Sequence, residues 1–219
     1  GVAVAIEGHA GRTPATLMSV SGHDRVAARH RAQAEAGAPV AKRLWQQIVK
    51  SKITAQADNL AVPASEQLTA VARSVRSGDS TNAEGRAARI YWQALRPSPG
   101  WRRDQDGRDR WNASLNYGYG ILRNHMYSAI FAAGLWPTHG VFHRHRSNPG
   151  CLVDDLMEPF RPLIDRIVFV SLEADELESV AARRSLAAAL ELEAADGQKV
   201  RAALNGWAQA VGSYFETPQ

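Results

Sequence analysis

From Val40 onward, apolar residues recur with the 3.6-residue period of helices that bury one face. Leu44, Ile48 and Val49 mark a first helix over Val40 to Leu60. Leu68, Val71 and Val75 form one stripe on a second, over Ser65 to Ser77, which Gly78 stops. A third, Thr81 to Leu95, ends at Arg96-Pro97-Ser98-Pro99-Gly100. Asn112 is positioned to cap a long fourth helix with Leu115, Tyr119, Leu122, Met126 and Ile130 inward, closed by Gly134. A loop from Leu135 to Gly150 leads into a proline-interrupted helix, Cys151 to Val170, and two Ala/Leu-rich helices finish the chain. Residues 1 to 38 follow no such period. A short strand in Gly1-Val2-Ala3-Val4-Ala5-Ile6 precedes Gly8, Gly11, Pro14 and a connector ending Ala36-Gly37-Ala38-Pro39. The pattern predicts a mainly α fold with a small β segment, residues 1–38 being the tail of another domain plus a linker and 39–219 a helical domain.

Composition narrows this little. The chain has 219 residues, 45% hydrophobic and 22% charged, as in an ordinary globular protein of one or two domains. No apolar run reaches the roughly 18 residues of a membrane span. The nearest, Ala113 to Gly134, is broken by Arg123, Asn124 and His125. The single cysteine, Cys151, rules out an internal disulfide framework and fits a reducing, cytoplasmic setting. No signal peptide is recognised, and with no initiator methionine the chain is expected to begin inside a longer protein.

Charge adds more. Between Val40 and Arg103 eleven Lys or Arg face four acids, whereas between Leu172 and Asp196 seven acids face two arginines. Solvated helix faces explain such runs one at a time. Around a phosphate-handling site, the basic half would instead mark an anionic partner.

The candidate chemistry centres on Asp154-Asp155-Leu156-Met157-Glu158-Pro159-Phe160-Arg161-Pro162, with Gly140-Val141-Phe142-His143 upstream. Carboxylates three residues apart, Asp155 and Glu158, lie on one helical face. Pro159 and Pro162 remove backbone donors and predict a bend where these acids sit. Asp154 points elsewhere and is expected at the surface. A histidine with carboxylates and no thiolate cluster suits Mg²⁺ or Mn²⁺. The plain alternatives are solvated acids on an amphipathic helix and a solvated loop histidine. Glu84 has a structural role available in Thr81-Asn82-Ala83-Glu84, an S/T-x-x-E capping box. His139, His143 and His145 could equally suggest zinc and an unrelated hydrolase. Arg86, Arg89, Arg144, Arg146 and Arg161 are near these groups in sequence and could grip phosphates bidentately.

Four segments carry a resemblance. Asn82-Ala83-Glu84-Gly85-Arg86-Ala87-Ala88-Arg89-Ile90-Tyr91-Trp92, Leu115-Asn116-Tyr117-Gly118-Tyr119, the Gly134-Leu135-Trp136-Pro137 and Gly140-Val141-Phe142-His143 pair, and the Asp154 to Pro162 run resemble the CRISPR adaptation integrases, the universal spacer-acquisition nucleases. The phrase around Glu158 is similar to versions that accompany type II systems, and Lys42 to Ile53 is similar to the helix opening the family's C-terminal domain. The resemblance implies a helical catalytic domain holding Mg²⁺ or Mn²⁺ through Glu84, His143 and Glu158, with Asp155 as a nearby second acid. It implies attack of a captured DNA fragment's 3′-hydroxyl on a phosphodiester of the repeat array, which makes the phosphates that those five arginines could grip a DNA backbone. It also implies homodimers bridged by a small companion adaptation protein. The family's N-terminal β-rich domain is represented only by its last strand or two, so a truncated N-terminal domain is expected. A non-catalytic DNA-binding scaffold is the runner-up.

Overall fold

The computed structural model describes residues 4–6, 15–17, 23–144, 146–171, 179–188 and 199–217. Two short strands, β1 (Val4–Ile6) and β2 (Ala15–Leu17), are followed by α1 (Val26–Glu35), α2 (Ala38–Ala57), α3 (Ala64–Ser74), α4 (Ala83–Leu95) and α5 (Arg110–Ala132). Then come α6 (Cys151–Met157), a 3-10 turn (Glu158–Phe160), α7 (Arg161–Arg166), α8 (Val180–Ala188) and α9 (Val200–Glu216). The mainly α class is as the periodicity predicts. β1 pairs antiparallel with β2, Val4 opposite Leu17; Gly8, Gly11 and Pro14 lie outside the described residues. So do the seven acids counted between Leu172 and Asp196.

The described chain divides into two compact units, each discontinuous in sequence. One comprises residues 1–41, 123–157 and 191–219, the other 42–122 and 158–190.

In the first unit, α9 packs on α1 around Arg29, whose guanidinium donates to the Ala133 carbonyl at 2.6 Å and to Gln209 at 2.7 Å. It also pairs with Glu216 at 3.3 Å. A buried guanidinium needs several acceptors to offset its lost hydration, and this one has them. At the end of α5, Gly134 takes a positive φ of 62° while Leu135 N–H donates to the Ile130 carbonyl at 3.0 Å. That glycine-dependent helix stop is the one the sequence predicts there.

In the second unit, Trp45, Ile48, Val49 and Ile53 of α2 are buried, as are Leu68 of α3, Ala87 and Tyr91 of α4 and Leu115 and Leu122 of α5. Trp111 stacks on Phe169 at 5.0 Å, with Trp92 and Trp101 around them. These rings anchor the loop between α4 and α5.

Several predicted helix starts and stops move. α3 ends at Ser74 rather than at Ser77, because Gln46 takes the Val75 carbonyl at 2.7 Å and the backbone turns extended there. α4 is capped not by Thr81 but by Asn82, which accepts from Gly85 N–H at 3.1 Å, and by Asp79, which accepts from Ala83 and Glu84 N–H at 2.7 and 3.0 Å. Asn112 lies inside α5, and Asp109 accepts the first-turn N–H groups of Trp111 and Asn112 at 3.1 Å each. Asn112 instead ties down the preceding loop, accepting from Asp104 N–H at 2.9 Å and donating to the Arg102 carbonyl at 3.0 Å.

Candidate metal centre

Because Asp79 and Asn82 satisfy the free N–H groups of α4, the Glu84 carboxylate is not needed for capping. It turns to Lys52 on α2, with Nζ 2.5 Å from Glu84 Oε1. The same ammonium is 2.5 Å from Glu158 Oε2. Arg161 holds the other Glu158 oxygen, Oε1, at 3.1 Å. Glu158 sits in the 3-10 turn where proline interrupts the helix, as the bend predicted from Pro159 and Pro162 requires. Its side chain is 7% exposed and that of Glu84 27%. Burial alone would lower the Lys52 pKa; the Glu158 and then the Glu84 carboxylates more than reverse this, holding the ammonium above its ordinary range. The donor set fits a hard divalent ion: two carboxylate oxygens from distant stretches of chain already share one cationic centre.

In the first unit, the fully buried Asp155 of α6 collects the loop before it. Its Oδ2 accepts from Val141 N–H at 2.6 Å and Phe142 N–H at 2.9 Å. Its Oδ1 accepts from His143 N–H at 3.2 Å and lies 2.6 Å from His143 Nδ1. A carboxylate accepting backbone N–H groups and facing Nδ1 favours a proton on that nitrogen, which puts the imidazole lone pair on Nε2. Gly140 has no room for a side chain, since a Cβ there would collide with the His143 carbonyl oxygen. Gln33 of α1 grips the other end of the loop, donating to the Trp136 and His139 carbonyls at 3.1 and 3.2 Å and accepting from Trp136 N–H at 2.8 Å. Asp154, expected at the surface, is partly buried against Arg123 at 2.7 Å and Asn148 at 2.6 Å.

The structure therefore brings Glu84 and Glu158 to one cation and His143 to Asp155. Among the described residues, no three His, Cys, Asp or Glu side chains are gathered in metal-binding geometry. A cleft of about 710 Å³ in the first unit is lined by Thr138, His139, Arg144, Arg146, Asn148 and Cys151. Burial and then the nearby Arg144 charge hold His139 below the ordinary histidine pKa. His145 lies outside the described residues. Arg144, Arg146 and Arg89 are exposed. Arg86 is exposed too and bonds the Thr81 carbonyl and Ser74 at 3.2 and 3.1 Å, while Arg161 also lies over the Tyr119 ring at 4.9 Å.

Periodicity misses three groups. Lys52 falls four residues after Ile48 and four before Gln56, both buried; a charge on an apolar stripe is the available signal. Asp165 of α7 is fully buried and accepts from Tyr91 Oη at 2.9 Å and from Tyr119 Oη. Asn59 completes that cluster, donating to Tyr91 Oη at 2.9 Å and to the Pro162 carbonyl at 2.7 Å. Gln33, the clamp on the His143 loop, gives no sequence signal.

The family model described as CRISPR associated protein Cas1 matches residues 1–205. A protein named CRISPR-associated endonuclease Cas1 from Neisseria meningitidis is 39% identical over 148 residues, 64% of this chain and 47% of that one. A protein named CRISPR-associated endonuclease Cas1 2 from Pyrobaculum aerophilum is 42% identical over 116 residues, 52% of this chain and 39% of that one. The chain thus spans less than half the length of these two relatives. Among solved structures, a chain of a partial Cas6-RT-Cas1–Cas2 complex matches 98% of this chain and 77% of its own length, with a TM-score of 0.76 and 20% identity. A casposase bound to integration product matches 98% of this chain and 71% of its own, with a TM-score of 0.76 and 19% identity. At those identities the two structures establish the fold.

Proposed function

The chain belongs to the Cas1 family, and from that premise we propose that it is a divalent-metal-dependent DNA endonuclease and integrase of CRISPR spacer acquisition. Family membership sets aside the unrelated zinc hydrolase. The helical part from residue 39 onward is, on this reading, the catalytic domain. The observation that carries it is the sharing of one ammonium by Glu84 and Glu158, each at 2.5 Å. Paired carboxylates around a cationic centre are what a Mg²⁺ or Mn²⁺ site needs.

Glu84, His143 and Glu158 are the proposed ligands. Asp155 acts through His143 rather than on the ion, because its oxygens are engaged by three backbone N–H groups and the imidazole. When bound, the ion supplies charge neutralisation at the phosphodiester and activation of the attacking hydroxyl. The chain's own groups do the rest: Asp155 fixes the imidazole, and Arg86, Arg89, Arg144, Arg146 and Arg161 supply guanidinium charge for the DNA backbone. The proposed transfer forms a bond from the captured fragment's 3′-oxygen to a phosphorus of the repeat array. The old phosphorus–oxygen bond breaks, and the leaving 3′-oxygen receives a proton in exchange for the one the attacker lost. One phosphodiester replaces another, so no outside energy source is required. The partners on this reading are captured DNA and repeat DNA, a second copy of the protein and a small companion adaptation protein. Among the described residues, no helix is long and apolar enough to cross a membrane.

Glu84→Ala, His143→Ala and Glu158→Ala are each expected to reduce Mn²⁺- or Mg²⁺-dependent nicking and strand transfer on branched DNA to background. Activity surviving all three changes overturns the reading, and chelator-insensitive DNA binding without turnover would leave a scaffold.

A further inference from the structure

Lys52 performs no step in the reaction proposed above, yet it occupies the centre of the carboxylate pair. α2 holds it firmly. Its helical neighbours Ile48, Val49 and Ile53 are completely buried and Gln56 nearly so, so the stem is set on a packed face and the head alone reaches the acids. Its side chain is 14% exposed, which leaves little water to screen the charges. Arg161 on Glu158 Oε1 leaves Oε2 directed at Lys52.

We propose that Lys52 is a built-in counter-ion of this centre, an ammonium that keeps Glu84 and Glu158 in register and that a divalent cation must displace in order to load. The inference rests on the metal-site reading given above. Its physical basis is competition for the same lone pairs. An ammonium contacting both carboxylates at 2.5 Å occupies oxygen lone pairs that a divalent ion would use, and two positive centres held by one oxygen pair repel each other strongly where water is excluded. Without a cation the pair is costly, because the buried Glu158 carboxylate loses hydration and repels the partly exposed Glu84 carboxylate with nothing to compensate. The lysine therefore supports the metal-free fold and weakens ion binding at the same time. Loading exchanges one cation for another and frees the ammonium head from the carboxylate pair.

The test measures Mn²⁺ affinity by electron paramagnetic resonance, and thermal stability with and without Mn²⁺, for the full chain and for Lys52→Met. The variant is expected to bind Mn²⁺ tighter by about tenfold or more, the usual scale for groups that act on a metal through its ligands, and to melt lower than the parent without the ion but not with it. Unchanged or weaker Mn²⁺ affinity in a folded Lys52→Met overturns the proposal. If that variant does not fold without the ion, lysine-selective ¹³C NMR of the unmodified chain decides, with the Lys52 signal assigned by its loss in Lys52→Arg. Mg²⁺ should move this signal towards solvent-exposed values, and a signal that stays in place at saturation overturns the proposal. Failure of the underlying site is separable. Mn²⁺ binding that Glu84→Ala and Glu158→Ala leave unchanged sinks site and counter-ion together, whereas binding that needs both acids but ignores Lys52 sinks the counter-ion alone.

Discussion

Burial strips water from the Asp165 carboxylate and pushes its pKa up to about 6, although hydrogen bonds from Tyr119 and Tyr91 and the charges of Arg161 and Lys52 pull the other way. Burial likewise raises both tyrosines, with the Asp165 charge adding to it. The folded-state pKa exceeds the unfolded value, so the folded protein holds this proton more tightly. Asp165 therefore favours folding most at pH below its unfolded pKa, and that advantage fades as pH rises through about 6. Urea unfolding of the parent and Asp165→Asn at intervals from pH 4 to 7 is expected to show the parent losing stability relative to the variant. The loss should be on the order of 3 kcal/mol, the scale of a two-unit shift. Parallel curves would show that Asp165 does not titrate in this window. No periodicity argument reaches this residue. The sequence places Asp165 one turn beyond Pro162, and only the approach of Tyr91 and Tyr119 turns a helix acid into a buried acceptor.

At the scale of elements, the loop between α5 and α6 behaves as a part with two fixed ends, gripped by Gln33 at Trp136 and His139 and by Asp155 at Val141 to His143. Asp155→Asn removes the charge that these three N–H groups and the imidazole share. A stability loss of roughly 1 to 3 kcal/mol is expected from underpaired buried donors. Mn²⁺ affinity should fall by about 10- to 100-fold, since His143 loses the partner that orients it. Denaturant unfolding and Mn²⁺ titration of one sample read both. A stability loss with unchanged Mn²⁺ affinity would show that the grip serves the loop and not the ligand. Prolines announce the interruption at Glu158 in the sequence, because a missing N–H acts locally wherever the helix lies. Capping is ambiguous in the sequence for the complementary reason. Thr81, Asn82 and Asp79 all have acceptor oxygens near the start of α4, and the backbone path, with Asp79 and Asn82 both at positive φ, selects among them.

At the scale of the whole molecule, the exposed arginines Arg144 and Arg146 beside the cleft are the expected phosphate-binding groups. Changing both to alanine should weaken DNA binding and flatten the dependence of log affinity on log salt by roughly one unit for each phosphate no longer neutralised. Fluorescence anisotropy across a salt series measures this, and an unchanged slope would place the DNA elsewhere. The helical class, the helix stop at Gly134, the break at Glu158 and, through the motif resemblance, the family were all legible in the order of residues. Each of these depends on side-chain period, a missing backbone donor, left-handed backbone or the order of residues, all carried by neighbours along the chain. Tertiary structure alone decided that Glu84 and Glu158 share Lys52 and that Asp155 serves the His143 loop. It also decided that Asp165 is closed off with two tyrosines. Those facts depend on distances across space and on the exclusion of water, which come into being only when segments remote in sequence pack together.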